Sequence, residues 1–209
     1  MRVYRFMNAK YGLESIRDKR LKISRLLELN DPFEFLAVQM TNRDLRKDFL
    51  VAREDVGEQY GLVCFSKDWK SPLQWAHYAD KHQGVCLGFE VPRKMLEKVD
   101  YVEKRIPFPT SMDEAFVMRL LKTKYKHWIY EKEYRAFLPL EEAEGRFYFT
   151  DFNDNLVLEQ VIVGINSKIP RSRIADVLGA RASNVETFKA RPGFSKFEIV
   201  KQNRESLWK

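Results

Sequence analysis

The sequence predicts an α+β fold, a single domain over residues 1–209 in which mixed, antiparallel-rich sheets are flanked by helices. Strand–helix–strand units open the chain and strands dominate its end, which fits neither a regular βαβ alternation nor a helical bundle. No glycine-rich loop of the GxGxxG or GxxxxGK[ST] type occurs, so the main signal for a parallel nucleotide-binding fold is missing. A chain of 209 residues can bury a core without disulfides, and neither a repeat nor a low-complexity linker divides it.

The first half of the chain alternates between short apolar strands and helices with recognisable ends. Asn8 is a typical N-cap residue, and Ser71-Pro72 opens a helix because proline suits the first helical turn. The pair Asn30-Asp31 before a proline predicts a tight turn. The expected elements are a strand at 2–6, a helix at 9–19, a strand at 21–24, a helix at 41–59, a strand at 62–66, a helix ended by Gly84 and a strand at 85–91.

The second half is richer in strands. Pro92 begins a short helix, and apolar residues at three- and four-residue spacing predict a helix over 111–128. The strand predicted over 129–138 has no clear register, because its apolar and charged residues alternate only in part. The remaining expectations are strands at 101–105, 146–150 and 158–165, a helix at 170–178 and a terminal hairpin of 185–191 with 196–201.

The composition is that of a folded and moderately basic protein. Lys and Arg number 37 against 30 Asp and Glu, a net charge of +7 that favours anionic partners such as nucleotides or nucleic acid. Cys64 and Cys86 lie in apolar runs, as buried thiols do, and no Cys/His cluster has zinc spacing. No apolar run is long enough to cross a bilayer and no signal region opens the chain, so we expect a cytoplasmic protein without a membrane partner.

Two glutamates form the first candidate site. Glu131 and Glu133 are two residues apart, so on the predicted strand both side chains project from one face. Two carboxylates on one face repel each other unless a cation or a ligand lies between them. The pair either binds a ribose hydroxyl or acts as a general base, or it belongs to an exposed face whose charge Lys132 and Arg135 balance. Aromatic neighbours are not typical of a plain solvent-facing strand.

An arginine and a serine on two other strands are further candidates. Arg5 stands between Tyr4 and Phe6, either as a buried ion-pair partner or as an anion clamp, because its planar fork suits a phosphate. Ser66 ends the strand at 62–66, where serine is also common as a local cap.

A loop and a helix add residues that suit the wall of a cleft. Turn chemistry explains Asn30 but leaves Phe33 and Glu34 unexplained, which fits a loop that lines a cleft. His77 and His82 are five residues apart, so they do not share a helix face and no zinc site is expected. His77 is either a hydrogen-bonded interior residue or a base.

Six short motifs follow one another along nearly the whole chain. They are Tyr4-Arg-Phe6, Asn30-Asp-Pro-Phe-Glu34, Cys64-Phe-Ser66, the stretch from Trp75-x-His-Tyr-Ala to Gly-Val-Cys-Leu-Gly-Phe89, Trp128-x-Tyr-Glu-x-Glu-Tyr-Arg135 and Glu159-Gln-Val-Ile-Val-Gly164. In this order they resemble a bacterial family catalogued as domain of unknown function number 2971. The resemblance implies membership of that family and leaves its activity open.

A more distant resemblance is to ADP-ribosyltransferases, which use an Arg on an early strand, a Ser on a middle strand and a Glu-x-Glu on a later one. Arg5, Ser66 and the pair Glu131 and Glu133 occur in that order. The resemblance implies an ADP-ribosyltransferase-like fold and NAD as a substrate, with no metal. Glu133 would bind the nicotinamide ribose and stabilise an oxocarbenium-like state. Glu131 would help to deprotonate the acceptor, Arg5 would hold an NAD phosphate or ribose, and Ser66 would order the site.

The same resemblance implies a set of NAD-binding residues. They are Tyr4, Arg5, Asn30, Phe33, Glu34, Ser66, Trp75, His77 and Tyr78. The middle motif departs from the Ser-Thr-Ser of those enzymes, and the stretch 75–90 has no role among them. An enzyme of this type would act on a protein or nucleic-acid acceptor, as bacterial toxins of toxin–antitoxin pairs and phage-defence effectors do.

Two other functions stay open. The first is a non-catalytic module that binds a nucleotide or nucleic acid through a basic surface. The lysines and arginines that suggest it are Lys122, Lys124, Lys126, Arg171 and Arg173. The second is a metal-independent hydrolase or nuclease that uses His77 and the carboxylates.

Overall fold

Five helices and thirteen strands make up the computed structural model, which describes residues 1–109 and 111–209. The helices are α1 (Ala9–Asp18), α2 (Arg43–Gln59), α3 (Pro72–Tyr78), α4 (Glu114–Leu121) and α5 (Arg171–Leu178). The first strands are β1 (Arg2–Met7), β2 (Arg20–Arg25), β3 (Tyr60–Ser66), β4 (Val85–Glu90), β5 (Glu97–Lys98), β6 (Asp100–Val102) and β7 (Thr123–Tyr125). The others are β8 (Glu133–Pro139), β9 (Ala143–Glu144), β10 (Phe147–Asp151), β11 (Val157–Val163), β12 (Glu186–Pro192) and β13 (Ile199–Lys201). The predicted α+β class with mixed sheets is confirmed.

Contacts within the chain group its residues into two units of very different charge. Unit 1 consists of Met1–Leu21, Phe65–Arg93 and Thr150–Lys209, and unit 2 of Lys22–Cys64 and Lys94–Phe149. Unit 1 holds 20 Lys and Arg against 12 Asp and Glu, a net charge of +8, whereas unit 2 holds 17 against 18, a net charge of −1. The basic excess of the protein therefore lies in unit 1. No helix in the described ranges is both long and apolar enough to span a bilayer.

Unit 1 is built on a mixed sheet with strand order β13-β12-β11-β4-β1. Strands β11 and β12 are parallel, and the other neighbours in this series are antiparallel. The predicted terminal hairpin is confirmed as β12 and β13. One core cluster of this unit is formed by apolar side chains of the sheet and of α3, among them Phe6, Trp75, Cys86, Ile162 and Phe188.

Helices α1 and α3 begin directly after the capping residues that the sequence indicates. The Oδ1 atom of Asn8 accepts a hydrogen bond of 2.8 Å from the backbone N–H of Tyr11. The Oγ atom of Ser71 accepts one of 3.5 Å from the N–H of Gln74. Each bond satisfies a donor that the first helical turn leaves without a partner in the helix.

The turn after α3 differs from the prediction that a helix runs to Gly84. The helix ends at Tyr78, and the next residues include three consecutive non-glycine residues with left-handed backbones, at φ angles of 48° for Asp80, 51° for Lys81 and 70° for His82. Backbone bonds hold this turn, because the N–H groups of Lys81 and His82 donate to the carbonyls of the last helical turn. A left-handed backbone destabilises a non-glycine residue by about 1–2 kcal/mol. The contacts around the turn therefore hold these three residues in a conformation that they do not prefer on their own.

A glycine at position 81 is expected to stabilise the protein. Lys81 is exposed, and glycine adopts its left-handed backbone without steric cost. We expect Lys81→Gly to raise the free energy of unfolding by roughly 0.5–1 kcal/mol, measured by urea unfolding. The control is Lys10→Gly in the right-handed helix α1, which should lower the free energy of unfolding. A lower free energy of unfolding in Lys81→Gly would show that the left-handed backbone at Lys81 is not strained.

Unit 2 departs from the sequence prediction over residues 111–138. The predicted helix over 111–128 ends at Leu121, and β7 follows in parallel register with β6. The predicted strand over 129–138 begins as a 3-10 turn, Lys126–Glu131, and becomes extended only from Glu133. Lys132 between them is left-handed at φ 47°. Strand pairing in the folded chain outweighs the helical spacing of these residues.

Candidate functional site

Ser66 connects the end of β3 to α3 in unit 1. Its side chain is buried at the end of β3, where its Oγ donates to the Asp68 carbonyl at 2.8 Å. The same oxygen accepts hydrogen bonds from the Asp68 N–H at 3.1 Å and from Gln74 Nε2 at 3.0 Å. These three bonds use the donor and both acceptor sites of the hydroxyl. They tie the end of β3 to α3.

Tyr4 and Arg5 face opposite sides of the unit 1 sheet. Tyr4 is the direct antiparallel partner of Ser66, so their side chains share a face. Arg5 follows in a regular strand opposite Leu87 and points to the other face. Burial raises the pKa of the Tyr4 hydroxyl. Unit 1 therefore brings Tyr4 and Ser66 together and separates Arg5 from them.

The aromatic side chains of helix α3 pack mainly in the core of unit 1. Trp75 is fully buried, its indole N–H donates to the Trp69 carbonyl at 2.7 Å, and its ring meets Phe6 edge-on at 5.3 Å. Tyr78 packs against the same cluster, whereas His77 is exposed on the helix surface. A stretch that the sequence marks as distinctive thus owes much of its pattern to packing.

Unit 2 contains five buried charged side chains in mutual contact, here called the charge cluster. They are Glu34, Lys124, Glu131, Glu133 and Arg135, all at most 6% exposed. Three carboxylates face two cations, so the formal charge of the cluster is −1. The sequence indicates all three carboxylates as site residues. It leaves open an exposed strand face for Arg135 and a basic binding surface for Lys124, and the burial of both cations fits neither alternative.

Arg135 holds two carboxylates at once. Its Nη1 and Nη2 atoms donate to the two oxygens of Glu34 at 2.9 and 2.7 Å. Its Nε and Nη2 donate to the two oxygens of Glu133 at 2.8 and 3.2 Å. A further bond of 2.7 Å reaches the Leu121 carbonyl. The guanidinium is fully buried, and paired bonds of this kind are the strong form of ion pair.

Lys124 lies between all three carboxylates of the charge cluster. Its Nζ atom is 2.6 Å from Glu131, 3.2 Å from Glu133 and 3.6 Å from Glu34, and it lies 4.8 Å from the centre of the Trp128 ring. The sequence predicts either a cation or a ligand between Glu131 and Glu133, and the structure has a cation there. Their predicted common strand face is wrong, since Glu131 belongs to the 3-10 turn.

Glu133 and Lys124 keep their charges at neutral pH. Burial alone would raise the pKa of Glu133, but the attraction of Arg135 and Lys124 outweighs it and lowers the pKa from 4.5 to about 2. Burial alone would lower the pKa of Lys124, but the three carboxylates raise it well above its ordinary value. A hydrogen bond from the Cys64 thiol also favours the ionised form of Glu133. Both oxygens of Glu133 are thus engaged within unit 2.

A pocket of about 420 Å³ lies on the other side of the small β6–β7 sheet in unit 2. In the parallel register, Tyr101 pairs with Lys124, and Val102 pairs with Tyr125. The first pair faces the cluster, where the Tyr101 hydroxyl accepts a bond of 2.8 Å from the Glu133 N–H. The second pair lines the pocket. The sheet therefore separates buried charge from an open, largely apolar cavity.

The loop after Asn30 lines the same pocket. The Asp31 carboxylate accepts a 2.9 Å bond from the Phe33 N–H, which confirms the predicted turn. Phe33 lines the pocket, while Glu34 points to Arg135. Phe35, fully buried, has a left-handed backbone at φ 63°. Asn30 is exposed at the start of this turn.

Charged and aromatic groups surround the mouth of the pocket. The Arg105 guanidinium lies 5.5 Å from the centre of the Phe33 ring, and Lys104 lines the pocket beside it. The ring of Tyr125 stacks on His127 at 4.6 Å. Phe33 and Tyr125 are 51% and 42% exposed, so both offer ring surface to a ligand. Sequence reasoning singled out Phe33 and missed Arg105 and Tyr125, because nothing in their local pattern marks them.

The predicted site residues fall into separate groups. Tyr4, Arg5, Ser66, Trp75, His77 and Tyr78 belong to unit 1, and Asn30, Phe33, Glu34, Glu131 and Glu133 belong to unit 2. In the parts of the chain that the structure describes, no group of three or more His, Cys, Asp or Glu residues is arranged to hold a metal ion. Comparison with known proteins gives no match to any family model, curated protein or solved structure.

Proposed function

We propose that the protein binds a nucleotide in the pocket of unit 2. The observation that carries the proposal is the combination of two exposed aromatic rings, Phe33 and Tyr125, with the cations Arg105 and Lys104 around one cavity. A volume of about 420 Å³ lies within the range of small-molecule sites. Planar bases stack on aromatic rings, and phosphates pair with arginine and lysine.

The charge cluster supports this role as a scaffold. Two segments each place one residue in the cluster and its neighbour in the pocket, Glu34 beside Phe33 and Lys124 beside Tyr125. A binding site is more precise when its first contacts are fixed by a rigid second layer. The buried ion pairs supply that rigidity, so the pocket is expected to be formed before a ligand arrives.

NAD is the first ligand to test, because the motif resemblance implies it and it contains a base and a pyrophosphate. Transfer of ADP-ribose is the second candidate function. The feature that favours it is the Glu133 carboxylate, whose pKa is about 2 and which is therefore ionised at neutral pH. Stabilisation of an oxocarbenium-like state requires such a negative charge. The burial of Glu133 favours binding without transfer.

The test is a calorimetric titration of the full chain with NAD, with adenosine monophosphate and with nicotinamide riboside. Arg105→Gln is expected to weaken binding of NAD and of the monophosphate at least tenfold. It should affect binding of nicotinamide riboside much less, because the riboside has no phosphate. Arg146→Gln is the matched control, because the Arg146 guanidinium also lies over a phenylalanine ring of the same unit, 5.0 Å from the centre of Phe147. Binding that Arg105→Gln leaves unchanged would refute the site.

The same samples test transfer. Release of nicotinamide together with attachment of ADP-ribose to a protein or nucleic-acid acceptor, both lost in Glu133→Gln, would show an ADP-ribosyltransferase. NAD binding without nicotinamide release would leave a binding module. A thermal shift with each ligand gives an independent measure, because ligands that bind only the native state raise its stability.

A further inference from the structure

The tip of the β12–β13 hairpin in unit 1 presents two phenylalanines almost entirely to solvent. Phe194 and Phe197 are 94% and 102% exposed, whereas the other large exposed apolar side chains of the described residues reach at most 59%. Exposed aromatic pairs of this kind are unusual on a protein surface, since burial of such rings is strongly favourable. They therefore indicate a contact surface.

The tip is an ordered turn. The Gly193 N–H donates to the Glu198 carbonyl at 2.8 Å, and the Glu198 N–H donates to the Lys196 carbonyl at 2.8 Å. A side chain at Gly193 would place its Cβ 2.9 Å from the Lys196 carbonyl oxygen, so the close approach requires glycine. The backbone thus holds both rings outward.

Cations accompany the rings. The Arg191 guanidinium lies 4.8 Å from the centre of the Phe194 ring, and Lys196 lies exposed between the two phenylalanines. The Arg191 Nη1 atom donates to the Pro192 carbonyl at 2.9 Å, which fixes this side chain at the tip. Lys196 is exposed and the net charge of the unit is +8, so the tip favours an anion.

A basic pocket of about 250 Å³ lies at the base of the same hairpin. Its cationic lining consists of Arg171, Lys189, Lys201 and Arg204, beside the rings of Phe188 and Trp208. Arg171 pairs with Glu205 at 2.9 Å and Lys201 with Glu186 at 2.6 Å, which leaves an excess of positive charge. Four residues lie between Lys189 and Phe194, and the strand ends at Pro192, so the pocket lining and the tip are at most roughly 17 Å apart along the chain.

We propose that this hairpin binds single-stranded nucleic acid. Unpaired bases stack on Phe194 and Phe197, and phosphates lie against Arg191, Lys196 and the basic pocket. Aromatic stacking combined with a basic groove is the general mode of single-strand binding. The pocket favours a flexible phosphodiester chain over an anionic membrane, because a bilayer surface does not enter a cavity. The proposal is independent of the nucleotide pocket in unit 2.

The test is fluorescence anisotropy of the full chain with a labelled oligouridylate of about ten nucleotides, a length within the usual range of site sizes. The double variant Phe194→Ala/Phe197→Ala is expected to bind at least tenfold more weakly than the unchanged protein. Tyr11→Ala is the matched control, because Tyr11 is 56% exposed in the same unit with Lys10 Nζ 5.6 Å from its ring centre. Affinity for the oligonucleotide should fall as salt rises.

Three outcomes would overturn the proposal. The oligonucleotide does not bind at micromolar protein, or the double variant binds as tightly as the unchanged protein. The third outcome is binding to vesicles that contain phosphatidylserine. It would assign the tip to a membrane surface if the protein cosediments with the vesicles, the double variant does not, and the vesicles displace the oligonucleotide. A duplex of matched length should bind more weakly than the single strand, because its bases are already stacked.

Discussion

Replacement of Arg135 by methionine is expected to lower the free energy of unfolding by about 3–5 kcal/mol. The variant removes five hydrogen bonds and leaves Glu34 and Glu133 buried, with Lys124 as the remaining cation of the charge cluster. An unpaired buried charge costs far more than the ion pair contributes. In a protein of this size the loss corresponds to roughly 6–20 °C in Tm. Urea unfolding followed by circular dichroism measures it.

Two further variants separate the cluster from general effects of the exchange. Arg119→Met removes an exposed arginine of α4 in the same unit and should change stability by no more than about 0.5 kcal/mol. The double variant Arg135→Met/Glu34→Gln should lose less stability than the sum of the two single variants, because it removes a charge together with its partner. Additive losses would contradict the assignment of Glu34 and Arg135 to one cluster.

Acid is expected to destabilise the protein through Glu133. The pKa of this carboxyl is lowered to about 2 in the folded state from 4.5 in the unfolded state. Its ionised form therefore stabilises the fold fully above pH 4.5, and this contribution disappears as the pH falls toward 2. Integrated over that range, it amounts to roughly 3 kcal/mol, of which about 2 kcal/mol is lost between pH 5 and pH 3.

The measurement is the free energy of unfolding of the unchanged protein and of Glu133→Gln at several pH values in that window. The variant lacks the titrating group, so its stability should fall less steeply with acid. Glu103→Gln, which removes an exposed carboxylate paired with Lys126, should keep the slope of the unchanged protein. Parallel curves for the unchanged protein and Glu133→Gln would show that Glu133 does not titrate in this way.

The local elements could be predicted where capping residues and turn chemistry decide them. Asn8 and Ser71 begin their helices as expected, and the Asp31 turn and the terminal hairpin are confirmed. The helix over 111–128 was wrong because Lys124 lies in a strand that pairs with β6, a choice made by tertiary contacts. The single domain over 1–209 stays a prediction, and the two units describe how contacts are distributed along it.

Three of the five residues of the charge cluster could be predicted from the sequence. Glu34, Glu131 and Glu133 are marked by their motifs, whereas Lys124 lies in a region whose spacing suggested a helix. A buried cation carries no local signature, because its burial depends on partners distant in the chain, here about 100 residues for Glu34 and Arg135. The roles of Arg5, Ser66 and Glu133 in transfer stay predictions.

The threading of the chain sets the order in which the units can be completed during synthesis. The chain passes between the two units four times, and all residues of unit 2 have been made by Phe149. The sheet of unit 1 cannot form completely until the last segment is made. Strand β4 lies between β1 and β11 in that sheet, and β11 begins only at Val157. Until then one edge of the apolar strand β4 has no partner on the nascent chain. Exposed edges of this kind attract other strands, so unit 1 is the part of the protein that most needs protection at the ribosome.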